Sequence, residues 1–544
     1  MLAGSATHSL SFGNVNQNVT IGACTPRGGS DRIMGFQSIL FDGFEENQKG
    51  DLSEAPAFFR DLKLDQLIHG ITADWKEYNL TAFYYISLND LGTIAYRQEV
   101  MRDLEDHSVM QTLKRFSAQL RLMRQNLHQA TELNYKHAKE RWFLDAIKIY
   151  CEAVQDLSRD LLALKLNSRG LREFCEYLSK YCASSYFCGL VAESEKLSSD
   201  LSTIRVCLRI KDGSVTVSHY DTENDYSAAV EGIFERFRGG TTRAYSIKRR
   251  NREGMNHIQA QILDRVAMLH PEIFSDLEAF YTLHTEYLDE TISRFDREIQ
   301  FYISYLSYIE KLQASGLNFC LPILSQSSKA VIARDAFDLV LADKLIREGG
   351  QVVCNDFSLS GSERVLVISG PNQGGKTTFA RMFGQLHYLA SLGCPVPGSE
   401  AQLFLCDRLF THFEQEENIA NLRGKLQDDL VRIRTILDAA TSKSILIMNE
   451  IFSSTTLSDA IYLGKQILAR LSALDVLVVC VTFLDELASF NEKTVSIVSL
   501  VDPDNPELRS FKLERRPVDG LAYALAIAQK YRVTYDSVTE RIKA

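Results

Sequence analysis

The spacing of apolar residues divides the chain into stretches of different period. From about Pro56 to Leu201, apolar positions recur every three or four residues, the helical period. The most regular run is Phe143, Ile147, Tyr150, Val154, Leu157, Leu161 and Leu164, whose steps alternate four and three. Leu120, Met123, Leu127 and Ala130 form a similar stripe just before it. Such stripes predict helices packed in a bundle core, which is scaffold rather than chemistry. The period then changes. Arg205-Val-Cys-Leu-Arg-Ile-Lys211 alternates, Asp212-Gly213 follows, and Ser214-Val-Thr-Val-Ser-His219 alternates again, predicting a β-hairpin closed on Asp-Gly. The helical period resumes after about Met255 and includes Leu288, Ile292, Phe295, Ile299, Tyr302, Leu306 and Ile309. Two long helical stretches thus flank a small β-element. An antiparallel pair carrying that element at its tip is the simplest topology, and it would transmit motion from tip to base.

Residues 321–355 are transitional, with short apolar runs such as Phe337-Asp-Leu-Val-Leu-Ala342. Beyond them, β-branched runs at Arg364–Ser369, Ser444–Met448, Val476–Val481 and Thr494–Leu500 alternate with helical stretches at Thr378–Leu392, Leu426–Ala440 and Asp459–Leu471. This is an α/β pattern, predicting a mainly parallel sheet with helices on both faces. At the other end, Met1 to about Gly50 is aperiodic and rich in Ser, Gly and Asn, and reads as mostly flexible, with Phe36-Gln-Ser-Ile-Leu-Phe41 as a candidate short strand. The expected division is a flexible segment over 1–55, a helical core and first lever over 56–204, and a hairpin with a basic insert over 205–254. Second lever helices follow over 255–340 and the α/β domain over 341–544.

Composition narrows the class. The 544 residues suffice for about three or four domains, and 45% hydrophobic with 24% charged residues is ordinary for a soluble globular protein. No apolar run approaches the roughly 18 residues of a membrane span, and the N-terminus lacks a basic stretch followed by an apolar one. A cytoplasmic chain is expected. The 11 cysteines are scattered without C-x-x-C pairs, which fits buried thiols in a reducing compartment better than a metal site or disulfides. A net charge of −10 excludes a global basic field, so any nucleic-acid contact must come from a local patch. One candidate is the segment with Arg236, Arg238, Arg243, Lys248, Arg249, Arg250 and Arg252, interleaved with Phe237 and Tyr245. It is either a surface for a phosphate backbone or a solvated loop paired with the acidic remainder, and charge density alone does not choose.

The chemistry centres on Gly370-Pro-Asn-Gln-Gly-Gly-Lys-Thr377, a G-x-x-x-x-G-K-T phosphate loop between a strand and a helix. Gly370, Pro371, Asn372, Gln373, Gly374, Gly375, Lys376, Thr377 and Thr378 are the nucleotide-binding candidates. Glycines let backbone amides turn toward phosphate oxygens, and the helix N-terminus adds its positive dipole end. Lys376 supplies charge for the β- and γ-phosphates of ATP, and the Thr377 hydroxyl is a Mg²⁺ ligand candidate. Ser444-Ile-Leu-Ile-Met-Asn-Glu450 supplies a polar end to a neighbouring apolar strand. Asn449 stands where an aspartate is usual, able to bond a metal-bound water but bringing no charge. Glu450 is the candidate base for the attacking water.

These motifs resemble the ATPase of the MutS family of DNA mismatch-repair proteins. The loop through Thr378 is similar to that family's G-P-N-M-G-G-K-S-T, and Asp407-Arg-Leu-Phe-Thr411 to its D-R-I-F-T. Met448-Asn-Glu-Ile451 corresponds to M-D-E-I, Ser454-Thr-Thr-Leu-Ser-Asp459 to G-T-S-T-x-D, and Gly520-Leu-Ala-Tyr523 to a late S-Y-G region. Residues 420–441 align with its signature segment and following helix. The resemblance covers about 190 residues well, and extends more weakly through Asp90-Leu-Gly-Thr-Ile-Ala-Tyr-Arg97. It implies an α/β P-loop ATPase domain preceded by a helical lever region with a clamp-like β-insert. It further implies ATP and Mg²⁺, a homodimer with composite sites, and DNA contact at the insert through Arg243, Lys248, Arg249, Arg250 and Arg252.

Four departures from the family pattern stand out. Asn449 replaces the usual aspartate. The signature Ser-Thr, which the resemblance places against the partner subunit's γ-phosphate, is Gly424-Lys425, so Lys425 would contact that phosphate by charge. The family's histidine after the next strand is Phe483. About 55 residues precede the helical region and the chain ends at Ala544, so neither mismatch-reading domains nor an appended nuclease domain are expected.

Overall fold

The computed structural model describes residues 36–43, 55–212, 214–221, 257–414, 424–501, 509–518 and 533–543. Short helices α1 (Phe58–Leu62), α2 (Leu64–Thr72) and α3 (Thr81–Tyr85) lead into α4 (Leu91–Asp103). Asp90 caps α4, its carboxylate accepting from the backbone N–H and the hydroxyl of Thr93. Helices α5 (His107–Glu132) and α6 (Lys136–Ala163) form an antiparallel hairpin, followed by α7 (Arg169–Cys182) and α8 (Ser185–Thr203). Of the regular stripe, Phe143, Ile147, Tyr150, Val154, Leu157 and Leu161 are all buried on α6.

Helix α8 runs into β1 (Val206–Lys211) and β2 (Ser214–His219), which pair antiparallel with Lys211 opposite Ser214. The chain returns through α9 (His257–Leu269), packed on β2, and α10 (Pro271–Leu283), packed on α6 and α8. Helix α11 (Glu290–Gln313) carries the second regular stripe. It is buried on nearly every side, because Phe301, Ile303 and Tyr305 are buried as well as the stripe residues Ile292, Phe295, Ile299 and Tyr302. Its neighbours include α2 and α5, so it is a central helix of the core, and the partner of α6 is α5.

Phe36–Phe41 docks on this core but not as a strand. Side chains take up its backbone groups instead: Tyr96 donates to the Ser38 carbonyl and Tyr302 to that of Ile39, while Glu298 accepts from the Ile39 N–H and the Ser38 hydroxyl.

Between α11 and the phosphate loop lie β3 (Phe319–Cys320), β4 (Ile323–Ser325), β5 (Val331–Ala336), α12 (Leu339–Arg347) and β6 (Asn355–Leu359). Strand β7 (Val365–Ser369) precedes the loop and α13 (Lys376–Ser391) follows it. Then come β8 (Val396–Pro397), β9 (Glu400–Phe404), β10 (Leu409–Phe413), α14 (Lys425–Ala439), β11 (Ile445–Asn449) and α15 (Leu457–Ala473). Strands β12 (Leu477–Val481), β13 (Thr494–Val501) and β14 (Arg509–Arg515) and helix α16 (Tyr535–Lys543) follow. The main sheet has six strands in the order β10-β11-β12-β7-β13-β14, parallel except for the antiparallel edge strand β14. A second sheet, β4-β9-β5-β6, takes β4 and β5 from the stretch that reads as merely transitional in sequence and joins to them β6 and, from beyond the loop, β9.

Alternation explains how helices cover both faces of the main sheet. Val365, Val367, Leu446, Met448, Val478 and Cys480 share a core with Ile433 of α14 and Leu468 of α15. Ile447 points the other way, against α13, where Gly384 permits the close approach: a Cβ there would lie 2.8 Å from its Cδ1. Helix α13 is itself buried along almost its whole length against the helical region. Arg97, with no exposed surface, joins the two parts, donating to the carbonyls of Leu40 at 3.0 Å and Leu392 at 3.1 Å between the rings of Phe41 and Phe301.

Candidate nucleotide site

The loop lies where β7, buried throughout, delivers the chain to α13. Its backbone is left-handed at Gly370 (φ 118°), Gln373 (φ 60°) and Gly375 (φ 92°), which the two glycines adopt without the steric cost of a Cβ. Gly374 is required by proximity, since a Cβ would lie 2.3 Å from Ser499 Oγ. That hydroxyl, on the neighbouring strand β13, donates to the Gly374 carbonyl at 2.6 Å. Arg509 of β14 donates to the Asn372 carbonyl at 3.2 Å. The β13–β14 pair thus braces the loop from outside, a role that nothing in the local sequence of Ser499 or Arg509 announces.

Lys376, the first residue of α13, curls back over the loop. Its ammonium donates to the carbonyls of Gly370 at 2.9 Å and Pro371 at 3.0 Å, and lies 4.2 Å from the centroid of the Phe483 ring. Burial pulls its pKa down to about 8, opposed by the carboxylate of Glu450 and assisted by Arg509. Thr377 donates its hydroxyl to Asn449 Oδ1 at 2.9 Å, bringing the two metal-ligand candidates together. Glu450 sits in a left-handed conformation (φ 55°) just beyond the end of β11, its N–H held by the Val481 carbonyl at 2.9 Å. A non-glycine residue held this way costs about 1–3 kcal/mol and is typical of functional sites. Burial raises the Glu450 carboxyl above its usual range, with Lys376 opposing. Thr378 accepts from Arg381, which is also paired to Asp338.

Beside the loop and Glu450 lies a cavity of about 420 Å³, within the range of small-ligand sites. Its apolar wall includes Phe337, Leu341, Val352, Val353, Met382 and Phe511. Sequence reasoning missed this wall. Its members come from segments far apart in the chain, and the only signal was the apolar run from Phe337 to Ala342.

Gly424 caps α14 and Lys425 begins it. Lys425 forms an ion pair within its own chain, to Glu414 beyond the end of β10, and Glu414 also accepts from the Ser453 hydroxyl at 3.1 Å. Arg243, Lys248, Arg249, Arg250 and Arg252 lie outside the described residues, as does Gly520-Leu-Ala-Tyr523. All ten described cysteines are free, and no helix among the described residues is long and apolar enough to cross a membrane.

Loop, strand-end pair and cavity define an α/β domain organised around a phosphate loop. Residues 366–516 match the family model of MutS domain V, and residues 89–315 match that of the MutS2 N-terminal domain. The chain belongs to the MutS family. It is 33% identical over 144 residues to DNA mismatch repair protein Msh3 of Mus musculus, covering 26% of this chain and 13% of that protein. It is 29% identical over 191 residues to Endonuclease MutS2 of Gemmatimonas aurantiaca, covering 35% of this chain and 23% of that one. The match thus spans less than a quarter of either relative's length.

Proposed function

We propose that this chain binds ATP with Mg²⁺ at the phosphate loop, hydrolyses it, and uses the bound nucleotide to control a dimer that holds DNA structures without reading mismatches. The observation that carries the reading is the convergence of Lys376, Thr377, Asn449 and Glu450 at the loop, with the loop and Glu450 lining a base-sized apolar cavity. Membership of the MutS family supports the nucleotide and the DNA.

The residues fit Mg²⁺ in kind, because Thr377 Oγ1 and Asn449 Oδ1 are hard oxygen donors 2.9 Å apart. They fit it weakly in charge, since neither is anionic. Held by Thr377 and Asn449, a Mg²⁺ would offset the negative charge of the phosphates. Lys376 would bind the phosphate tail, and Phe337, Val352 and Phe511 would hold the base. Glu450, raised by burial in the direction that suits a base at neutral pH, would take a proton from the attacking water. Lys425 would reach the partner subunit's γ-phosphate, and the basic segment at Arg243–Arg252 would contact the DNA backbone.

The neutral Thr377–Asn449 pair favours a second reading, a switch with little or no turnover whose helical tips hold a protein partner. ATP turnover with and without DNA, compared with Glu450→Gln, separates the two. A DNA-stimulated rate lost in the variant supports the first, and a negligible rate in both supports the second. Replacing Lys248, Arg249 and Arg250 with alanine should lessen the salt dependence of DNA binding, and an unchanged slope refutes the assignment of that segment.

A further inference from the structure

Phe483 is half exposed (50%), whereas the Lys376 ammonium it covers belongs to a residue only 4% exposed. It lies in the turn after β12. The Thr482 N–H donates to the Ile368 carbonyl at the end of β7, and the Thr482 hydroxyl accepts from the Leu484 N–H, so the turn is tied to the strand that feeds the loop. An ammonium has three N–H donors. Two face the carbonyls of Gly370 and Pro371, and the Phe483 ring lies at cation–π distance from the same nitrogen. A phosphate oxygen that bonds the Lys376 ammonium competes with these three neighbours for it. The two carbonyls belong to the loop that must stay folded to bind phosphate. The ring is the neighbour that can leave, being exposed and attached by a rotatable side chain.

We propose that Phe483 is a gate on the phosphate loop: its ring competes with the nucleotide's phosphates for Lys376 and sets the affinity of the site by how readily it swings aside. A ring is suited to this because its face attracts a cation without the strong hydrogen bonds of a carboxylate, so phosphate can outcompete it. The proposal rests on the reading of the loop as a nucleotide site. It assigns to Phe483 a positioning role toward Lys376 that polar side chains at the same place would not perform.

The test is titration of the full chain with a fluorescent ATP analogue in Mg²⁺. Phe483→Leu retains apolar bulk but removes the ring face and should bind roughly 2- to 30-fold more tightly, the range spanned by cation–π contacts. Phe483→Tyr restores the ring and should bind like the native chain. Lys376→Ala should abolish binding, and adding Phe483→Leu to it should then have no effect. If Phe483→Leu binds no more tightly than the native chain while Lys376→Ala still abolishes binding, the gate is refuted and the site assignment survives. If Phe483→Tyr binds as tightly as Phe483→Leu, the ring face is not the cause and the gate is likewise refuted. Binding that persists unchanged in Lys376→Ala overturns both. The half-exposed position makes Phe483→Leu compatible with folding, which an unchanged melting temperature verifies.

Discussion

Thr377 donates its hydroxyl to the side-chain carbonyl of Asn449 at 2.9 Å, so the loop is joined to the end of β11, the next strand but one from β7 in the sheet, by a bond between two neutral groups. An aspartate in place of Asn449 would accept the same bond and add a full negative charge beside the phosphate tail. We expect Asn449→Asp to lower the Mg²⁺ concentration needed for half-maximal ATP turnover by about tenfold, the size of effect seen when groups around a metal are altered. Magnesium titrations of ATPase rate check this. Coincident curves for native and variant chains would show that the missing charge does not limit the site.

Lys425 is matched to Glu414 in its own chain, and Glu414 is further held by the Ser453 hydroxyl. Both side chains are partly exposed, so the pair is worth at most about 1 kcal/mol in stability. Its effect should instead appear in assembly, because Glu414 competes with any phosphate for Lys425. Glu414→Gln should strengthen ATP-dependent dimerisation and Lys425→Ala should weaken it, both measured by sedimentation velocity with and without ATP. If Lys425→Ala dimerises as the native chain does, Lys425 does not reach across an interface.

The phosphate loop, Asn449-Glu450 and the strands at 365–369, 445–449 and 477–481 were legible in sequence because each is defined by residues close together in the chain. The bracing of Gly374 by Ser499 and of Asn372 by Arg509 was not, since those partners are 125 and 137 residues apart. The same holds for the cavity wall, which brings Phe337, Val352 and Phe511 to one place. Helix α11 shows a different limit. Its stripe of Ile292, Phe295 and Ile299 reported one buried face, but Asp296, Glu298 and Gln300 are buried too, satisfied by partners such as Arg124, Ser38 and Ser117 from other segments. Buried polar residues read as a solvent face until their partners are known. In the same way, Phe483 in place of a family histidine was only a departure in sequence, and its ring's closeness to the Lys376 ammonium, 4.2 Å, is visible only in the fold.

Glu298 gives the fold a pH dependence of defined sign. Its carboxyl is raised from 4.5 to about 6 mainly by burial, with the Ile39 N–H, the Ser38 hydroxyl, Arg294 and Arg97 opposing. The folded state therefore holds the proton more tightly than the unfolded chain. The contribution to stability is greatest below about pH 4.5, falls as the pH rises to about 6, and is constant above. The loss amounts to about 2 kcal/mol. Glu298→Gln keeps an acceptor for Ser38 and Ile39 but cannot titrate. Between pH 4.5 and 7, urea unfolding should show the native chain losing stability relative to the variant. Parallel pH profiles would contradict the assignment.

Arg97 is one of the joints, with Gln385 and Tyr388, through which the helix that follows the phosphate loop meets the helical region. Its guanidinium bonds the Leu392 carbonyl just past the end of α13 and the Leu40 carbonyl of the docked segment, and Gly393 leaves room for it, since a Cβ there would lie 2.7 Å from Arg97 Cβ. Arg97→Met conserves much of the apolar stem but leaves two carbonyls without their charged donor in a buried setting. At about 1.5 kcal/mol or more for each bond to a charged group, the variant should be destabilised by about 3 kcal/mol. Removing the buried charge would offset part of that, because Arg97 is desolvated throughout. Urea midpoints at constant slope measure the balance. If the joint also transmits the nucleotide state, ATP should alter hydrogen exchange in α4 of the native chain and not in the variant. Equal protection of α4 in both, with and without ATP, would leave Arg97 a structural strut.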